Sequence, residues 1–499
     1  MPKFRKPSVL RTSRLAAAAG ALAAASLSLF AVGGAAQPAS AASDSPAAQS
    51  SPAAQSSPAA PAASAACPWV GSTAPVPQRV SQLLGQMSVT QKVDLLTGAS
   101  GSSYVGLIPA IGSLCIPAIN LEDGPAGVGD GMSNVTQLPA PVDVASTWDT
   151  SAEQLYGQVI GSEQAAKGTT IDLGPTINIV RDPRWGRAFE SVGEDPYLNG
   201  TLGAADIRGV QSTGVMAQVK HFAVYNQETN RNTSSDNAVI SARAEQEIYL
   251  PAFQDSVQQG AASSVMCSYS TVNGTYACQN PSLLTTVLRQ QLAFKGFVTS
   301  DWGATHATAA SANAGLNMDM PGNDGFYGSA LASAVSAGSV TTATLNSLVS
   351  PVLTQMFAYG LFDEPPTGSP AQPATSSAHT SDAVQLAEEG TVLLKNSGGV
   401  LPLSASTGSI AVIGADASAS PLTVGGGSAG STPAAPSPRC RASQPPPPAA
   451  SPSATTVAPR TAPPQHWPLP PASPSYSSVT ASPRAATCPA STCPARTTH

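Results

Sequence analysis

Between about residues 75 and 360, short apolar runs alternate with longer stretches whose apolar residues recur at helical spacing. Strand-like runs cover 215–219 and 296–299 and open the segments AINLEDGPAG, TTIDLGPTINIV, SSVMCSY and GLNMDMPG. Helical stretches are expected at 76–87, 152–166, 242–259, 281–291 and 329–336. In the third of these, Ile248, Leu250, Phe253 and Val257 mark a face that packs on the sheet. Strands alternating with helices predict an α/β fold with a parallel sheet and crossover helices. In a parallel barrel, side chains just past the strand ends converge on a ligand.

Polar chemistry gathers at those strand ends. Asp301 follows the apolar run 296–299 and precedes Trp302 and Gly303. Glu122 and Asp123 end a second strand, and Lys220 and His221 follow the run 215–219. Tyr269 follows SSVMC, and Asp319 ends GLNMD. The run after 169 leads into a loop carrying Arg181, Asp182, Arg184, Arg187, Glu190, Glu194 and Asp195. Any one of these acids could cap a helix or pair with a neighbour, and Asp301 itself could cap a helix starting at Ala304. Five further strands ending in polar clusters, besides the one before Asp301, point instead to a site.

Composition narrows the setting. The net charge of −6 gives no reason to expect nucleic acid or an anionic membrane as a partner. At the N-terminus a basic head (Lys3, Arg5, Lys6, Arg11, Arg14), an apolar stretch from Leu15 to Ala36, and Ala39-Ser40-Ala41 read as a signal peptide over 1–41, cleaved after Ala41, so the chain is expected to be secreted. No later run is apolar for long enough to span a membrane. Residues 42–66, rich in Ala, Pro and Ser, read as a flexible linker. Export permits disulfides among the seven cysteines; Cys267 with Cys278, and Cys67 with Cys115, are the pairings considered. His221 and His306 lack a metal-ligand partner at helical spacing, so neither metal nor cofactor is expected.

Residues 67–364 form the expected barrel domain and 365–380 a linker. A second α/β unit spans 381–430, beginning with a helix near 381–390 and continuing through TVLLKN and SIAVIGAD as buried strands. The glycine-rich VGGGSAGS, 424–431, lacks the Lys-Ser or Lys-Thr of a phosphate loop. From 431 to 499 the chain is rich in Pro and carries no Asp or Glu, a composition that reads as a disordered tail. A reading-frame shift near Ser431 in a GC-rich gene would account for the excess of Pro, Arg and Ala, and is the expectation for this segment.

LEDGPAGV, GRAFESVGEDPYL, VKHFAVYNQETNR, VMCSYSTVNG, LRQQLAFKGFVTSDWG and AEEGTVLLKNSGGVLPL, in that order, resemble family 3 of the glycoside hydrolases, and secreted bacterial β-glucosidases in particular. The resemblance covers about residues 70–430. It implies a (β/α)8-like TIM barrel followed by an α/β sandwich, of which this chain holds an incomplete start. It also implies a retaining β-glycosidase acting on terminal non-reducing β-D-glycosyl residues of an oligosaccharide or glycoside. Asp301 matches the nucleophile, and Asp123, Arg187, Lys220 and His221 match groups that bind the first sugar. The cations among them are expected to lower the pKa of Asp301. Tyr269 orients the nucleophile, Met266 packs the wall, Trp302 offers a flat face to the ring, and Glu228 and Arg231 stand behind as partners of this cluster.

Two departures follow from the comparison. Many relatives carry an Arg six residues after the Asp of the first motif, where this chain has Gly129. The acid/base of the β-glucosidase branch is a Glu beyond the Gly-Gly-Gly-Ser motif, matched here at 425–428, and no carboxylate follows Asp416. Poor hydrolysis of ordinary glycosides is therefore expected. The alternative is a secreted carbohydrate-binding protein without turnover. The preferred sugar, the linkage and the oligomeric state are not encoded in these motifs.

Overall fold

The computed structural model describes residues 67–100, 103–411, 413 and 426–433. The expected signal peptide, the first linker and the tail from 434 lie outside the described residues.

Six strands make one sheet in the order Gly106–Ile108, Ile119–Asp123, Ile171–Leu173, Met216–Phe222, Ser264–Cys267, Phe297–Ser300. From Ile119 onward all neighbours are parallel. The sheet closes on itself: Thr299 bridges Met318, Asp319 bridges Thr97, and Ala99 bridges Leu107. Two extended stretches thus join the six strands in a ring, the α/β barrel expected of this chain, without an open edge. One rung differs from the expectation, since Gly106–Ile108 runs antiparallel to both neighbours. The GLNMDMPG segment supplies only isolated bridges, through Met318 and Asp319, and no continuous strand.

Local sequence explains the helices that wrap the barrel. Thr150–Lys167 starts at Asp149, whose side chain accepts a 2.7 Å hydrogen bond from Ser151 N, and stops at Gly168 with φ 80°. Pro196–Gln211 has Pro at its first position and Asp195 as its cap, accepting from Leu198 N at 2.8 Å. These two helices pack closely, and a Cβ on Gly157 would collide with the backbone carbonyl of Asp206. The expected helix at 242–259 is broken. Pro251 has no N–H to donate and the preceding turn widens to a π-helix at Glu245–Tyr249, after which Pro251–Gln258 continues.

Thr342–Ala358 packs against Val76–Gln86, so the last barrel helix closes on the first. Beyond it, Ser377–Gly390 is helical and docks on the barrel through His379 Nδ1, 2.8 Å from Glu163 Oε1. TVLLKN does not form the expected buried strand. Leu394 is 91% exposed and the segment is irregular, because no neighbouring strand among the described residues accepts it. The described part of SIAVIGAD is likewise irregular and exposed, and the rest lies outside the described residues. The tail boundary also shifts: Thr432 and Pro433 pair with Ser133 and Val135, and Ser431 Oγ donates to Gln137 Oε1 at 3.0 Å.

Both cysteine pairs form disulfides, Cys67–Cys115 and Cys267–Cys278, closing loops of 48 and 11 residues. Loop-closure entropy makes the first the larger stabiliser, about 4 kcal/mol against about 3 kcal/mol. Replacing Cys67 and Cys115 by Ala is therefore expected to lower the urea midpoint more than replacing Cys267 and Cys278. The reverse order would show that native-state contacts outweigh chain entropy.

Candidate active site

The strand ends meet at a cavity of about 270 Å³ whose wall includes Asp123, Lys220, His221, Met266, Tyr269, Asp301 and Trp302. Asp301 follows Phe297–Ser300 directly, and its amide donates to Cys267 O at 3.2 Å. It does not cap a helix, since the next one begins only at Thr308. Lys220 and His221 lie inside the strand Met216–Phe222 rather than after it. Regular alternation would turn one of them away from the cavity; an irregular register between Val219 and Phe222 lets both face it.

A buried charge network holds this wall. Glu190, fully buried, accepts from Arg187 Nε at 2.7 Å and Nη2 at 2.6 Å, and from Thr176 Oγ1 at 2.8 Å. Lys220 Nζ lies 4.0 Å from Glu190 Oε1 and 3.7 Å from Asp123 Oδ1. Burial alone would raise the Glu190 carboxyl, but Arg187 and then Lys220 hold it below its ordinary value. Asp123 is different: burial outweighs Lys220 and pushes it up to about 7.

The sequence did not single out Glu190 as a site residue, nor Ser428. Ser428 Oγ receives Lys220 Nζ at 2.8 Å and Arg187 Nη2 at 3.0 Å, and donates to Glu190 Oε1 at 3.1 Å. Gly427 and Ser428 line the cavity, so the glycine-rich run belongs to a polar sugar-sized site and not to a phosphate loop. The signal that could have found Ser428 was its place in the Gly-Gly-Gly-Ser motif. Gly129 fits the same segment, because a Cβ there would crowd Asp123 Cβ and the carbonyls of Ser428 and Gly430.

Asp301 Oδ1 accepts Trp302 N at 2.8 Å, whereas the buried Oδ2 has no well-formed hydrogen bond and sits 3.5 Å from His221 Nε2. Its pKa is raised, against the expectation of a lowered one: burial prevails over Arg187, the Trp302 amide, the Tyr269 hydroxyl and Lys220. His221 adds no positive charge, since burial and then Arg187, Lys220 and Arg231 drive its pKa well below 6.5. Asn178 orients the ring, its Oδ1 lying 3.1 Å from His221 Nδ1 and accepting His221 N at 2.8 Å. Trp302 Nε1 donates to Val105 O at 3.2 Å, which fixes the indole against the wall.

Arg231 itself lines the cavity, rather than standing behind it, and stacks 4.7 Å over the Tyr269 ring. Glu228 does stand behind, accepting Trp185 Nε1 at 2.8 Å and Tyr225 OH at 2.6 Å. Asp319 and Glu122 do not line the cavity. Thr305 Oγ1 donates to Asp319 at 2.6 Å, and burial pushes Glu122 up to about 9 while its carboxyl accepts Val105 N and Asp123 N.

Fold and cavity together define an α/β barrel with carboxylates and cations converging at the C-terminal ends of its strands. The chain belongs to glycosyl hydrolase family 3: residues 108–355 match the family's N-terminal domain. A beta-glucosidase of Rhizobium radiobacter is 39% identical over 348 residues, covering 68% of this chain and 41% of that protein. The crystal structure of a beta-D-glucoside glucohydrolase from Trichoderma reesei superposes with a TM-score of 0.66 at 35% identity, covering 71% of this chain and 50% of that one. That of DesR, a beta-glucosidase from Streptomyces venezuelae in complex with D-glucose, gives a TM-score of 0.62 at 36% identity, covering 68% and 45%. The chain thus spans about half the length of the relatives it matches.

Glu190→Ala would leave Arg187 and Lys220 buried without their shared counter-charge. Such a change is expected to cost about 3–5 kcal/mol in urea unfolding, and Glu190→Gln less because hydrogen-bond acceptance survives. Unfolding midpoints equal to the parent's would contradict the assignment of Glu190 as the hub.

Proposed function

We propose that the cavity binds the terminal non-reducing β-D-glycosyl residue of an oligosaccharide or glycoside and that Asp301 attacks its anomeric carbon. The observation carrying this reading is that Asp301 lines the cavity while one of its carboxylate oxygens, the buried Oδ2, has no well-formed hydrogen bond. A lone pair not committed to a donor is free to form the bond to carbon as the glycosidic C–O bond breaks. Asp123, Lys220, Arg187 and His221 supply the polar groups for sugar hydroxyls, and the half-buried face of Trp302 suits the apolar side of a pyranose. The names of the family relatives support glucose as that sugar.

Retaining hydrolysis uses a second carboxyl about 5–5.5 Å from the first, to protonate the leaving oxygen and later activate water. Among the described residues, the only other carboxylate in the cavity wall is Asp123, which Lys220 engages. Asp301 is therefore proposed to be glycosylated most readily when the leaving group departs without needing a proton. Export of the chain is proposed as well, supported by the basic and apolar N-terminal segment and by the two disulfides.

A 2,4-dinitrophenyl β-D-glucoside should give a burst of phenolate followed by slow turnover, and azide should accelerate the slow phase by taking the sugar from Asp301. Asp301→Asn should abolish both phases. Tight glucose binding with no burst would favour a sugar-binding protein instead.

The pH profile follows from the raised Asp301 pKa. The ionised carboxylate attacks, so kcat/KM for the activated substrate should fall as pH drops, with its midpoint above the ordinary carboxylate value of 3.8. Lys220 favours the ionised form, so Lys220→Met should move that limb to higher pH. An unchanged or lower midpoint in Lys220→Met would contradict the electrostatic account.

A further inference from the structure

A side-chain cluster outside the cavity wall holds the turn on which Asp301 and Trp302 sit. Asn232, at a φ of 65° that asparagine tolerates better than most residues, donates Nδ2 to Gly303 O at 2.9 Å. Its Oδ1 lies 2.9 Å from His306 Nε2. The Gly303 carbonyl can only accept, which sets the amide orientation; Oδ1 then accepts, and His306 Nε2 carries the hydrogen. Burial keeps the His306 imidazole toward its neutral form despite the opposing charge of Asp324. Its ring stacks on Tyr276, with centroids 3.6 Å apart and planes 16° from parallel.

Tyr276 lies two residues before Cys278, whose disulfide to Cys267 ties it to the barrel strand Ser264–Cys267. Cys267 O in turn accepts the Asp301 amide. The contacts therefore close a circuit from Cys267 through Tyr276, His306, Asn232 and Gly303 back to Asp301. Gly303, at φ 75°, is the conformationally loosest member, held at one end by its N–H to Met320 O at 2.8 Å and at the other by Asn232.

We propose that Asn232, oriented by His306 and Tyr276, is a positioning residue that fixes the Asp301–Trp302–Gly303 turn and with it the approach of Asp301 to the anomeric carbon. The proposal rests on the reading of Asp301 as nucleophile. None of the three side chains lines the cavity, so none is a catalytic residue. Without the Asn232 bond the Gly303 peptide can rotate, and a displacement of about 1 Å at a nucleophile can cost about 100-fold in rate.

The test is single-turnover release of dinitrophenolate from a 2,4-dinitrophenyl β-D-glucoside by the full chain, with the rate constant fitted separately from the burst amplitude. Asn232→Ala is expected to lower the rate constant about 10- to 100-fold, His306→Ala and Tyr276→Ala less, and Tyr276→Phe, which keeps the ring, to restore the parent rate. A merely structural role would lower the amplitude and leave the rate constant within about twofold of the parent, and that pattern overturns the proposal. Asp301→Asn run alongside separates the two readings: if it turns over like the parent, the nucleophile assignment fails. The positioning of Trp302 is then decided by its fluorescence, obtained by difference from Trp302→Phe. An emission shift in Asn232→Ala supports the proposal and an unshifted spectrum overturns it.

Discussion

The fully buried carboxylate of Glu190 holds the mouth of the barrel together. Burying the cationic side chains of Arg187 and Lys220 costs free energy that an opposite charge offsets, and Glu190 lies against both. Through them it reaches Asp123 on one strand, the Lys220-bearing strand on another, and Ser428 on a segment more than two hundred residues away in sequence.

The same balance leaves Asp301 in an unusual position. Its neighbours favour the charged form, yet burial wins and the pKa rises. Desolvation is a common way to make a carboxylate more basic and hence a better nucleophile, provided enough nearby positive charge remains to keep it ionised at the working pH. His221 contributes shape and a hydrogen-bond acceptor at Nε2 rather than charge, since its surroundings keep it neutral and Asn178 Oδ1 takes the Nδ1 hydrogen. The cations Arg187 and Lys220 therefore carry the electrostatic work.

The barrel was legible because its strands end abruptly in polar residues, a signal that depends only on alternation and strand length. The antiparallel rung at Gly106–Ile108 was not, because a three-residue strand carries no directional pattern. Asp123, Arg187, Lys220, His221, Met266, Tyr269, Asp301 and Trp302 converge on one cavity; strand-end placement pointed to Asp123, Lys220, His221, Tyr269 and Asp301, and the family resemblance to Arg187, Met266 and Trp302. Arg231's place in the wall required the folded chain, since it reaches the cavity from a loop whose course local sequence does not dictate, whereas Ser428 was marked only by its Gly-Gly-Gly-Ser motif. Glu190 stood in a loop crowded with acids, and only three-dimensional packing separates the buried one from its exposed neighbours. TVLLKN shows the opposite failure: an apolar run reads as a strand whether or not a sheet is present to receive it.

The central claim is that Asp301 becomes covalently glycosylated. Incubation with a 2-deoxy-2-fluoro-β-D-glucosyl donor bearing a dinitrophenyl leaving group, followed by peptide mass spectrometry, tests it most directly. The account predicts one fluoroglucosyl adduct, on the peptide GFVTSDWG and at Asp301. An adduct on any other carboxylate, or none when D-glucose demonstrably occupies the cavity, would contradict it.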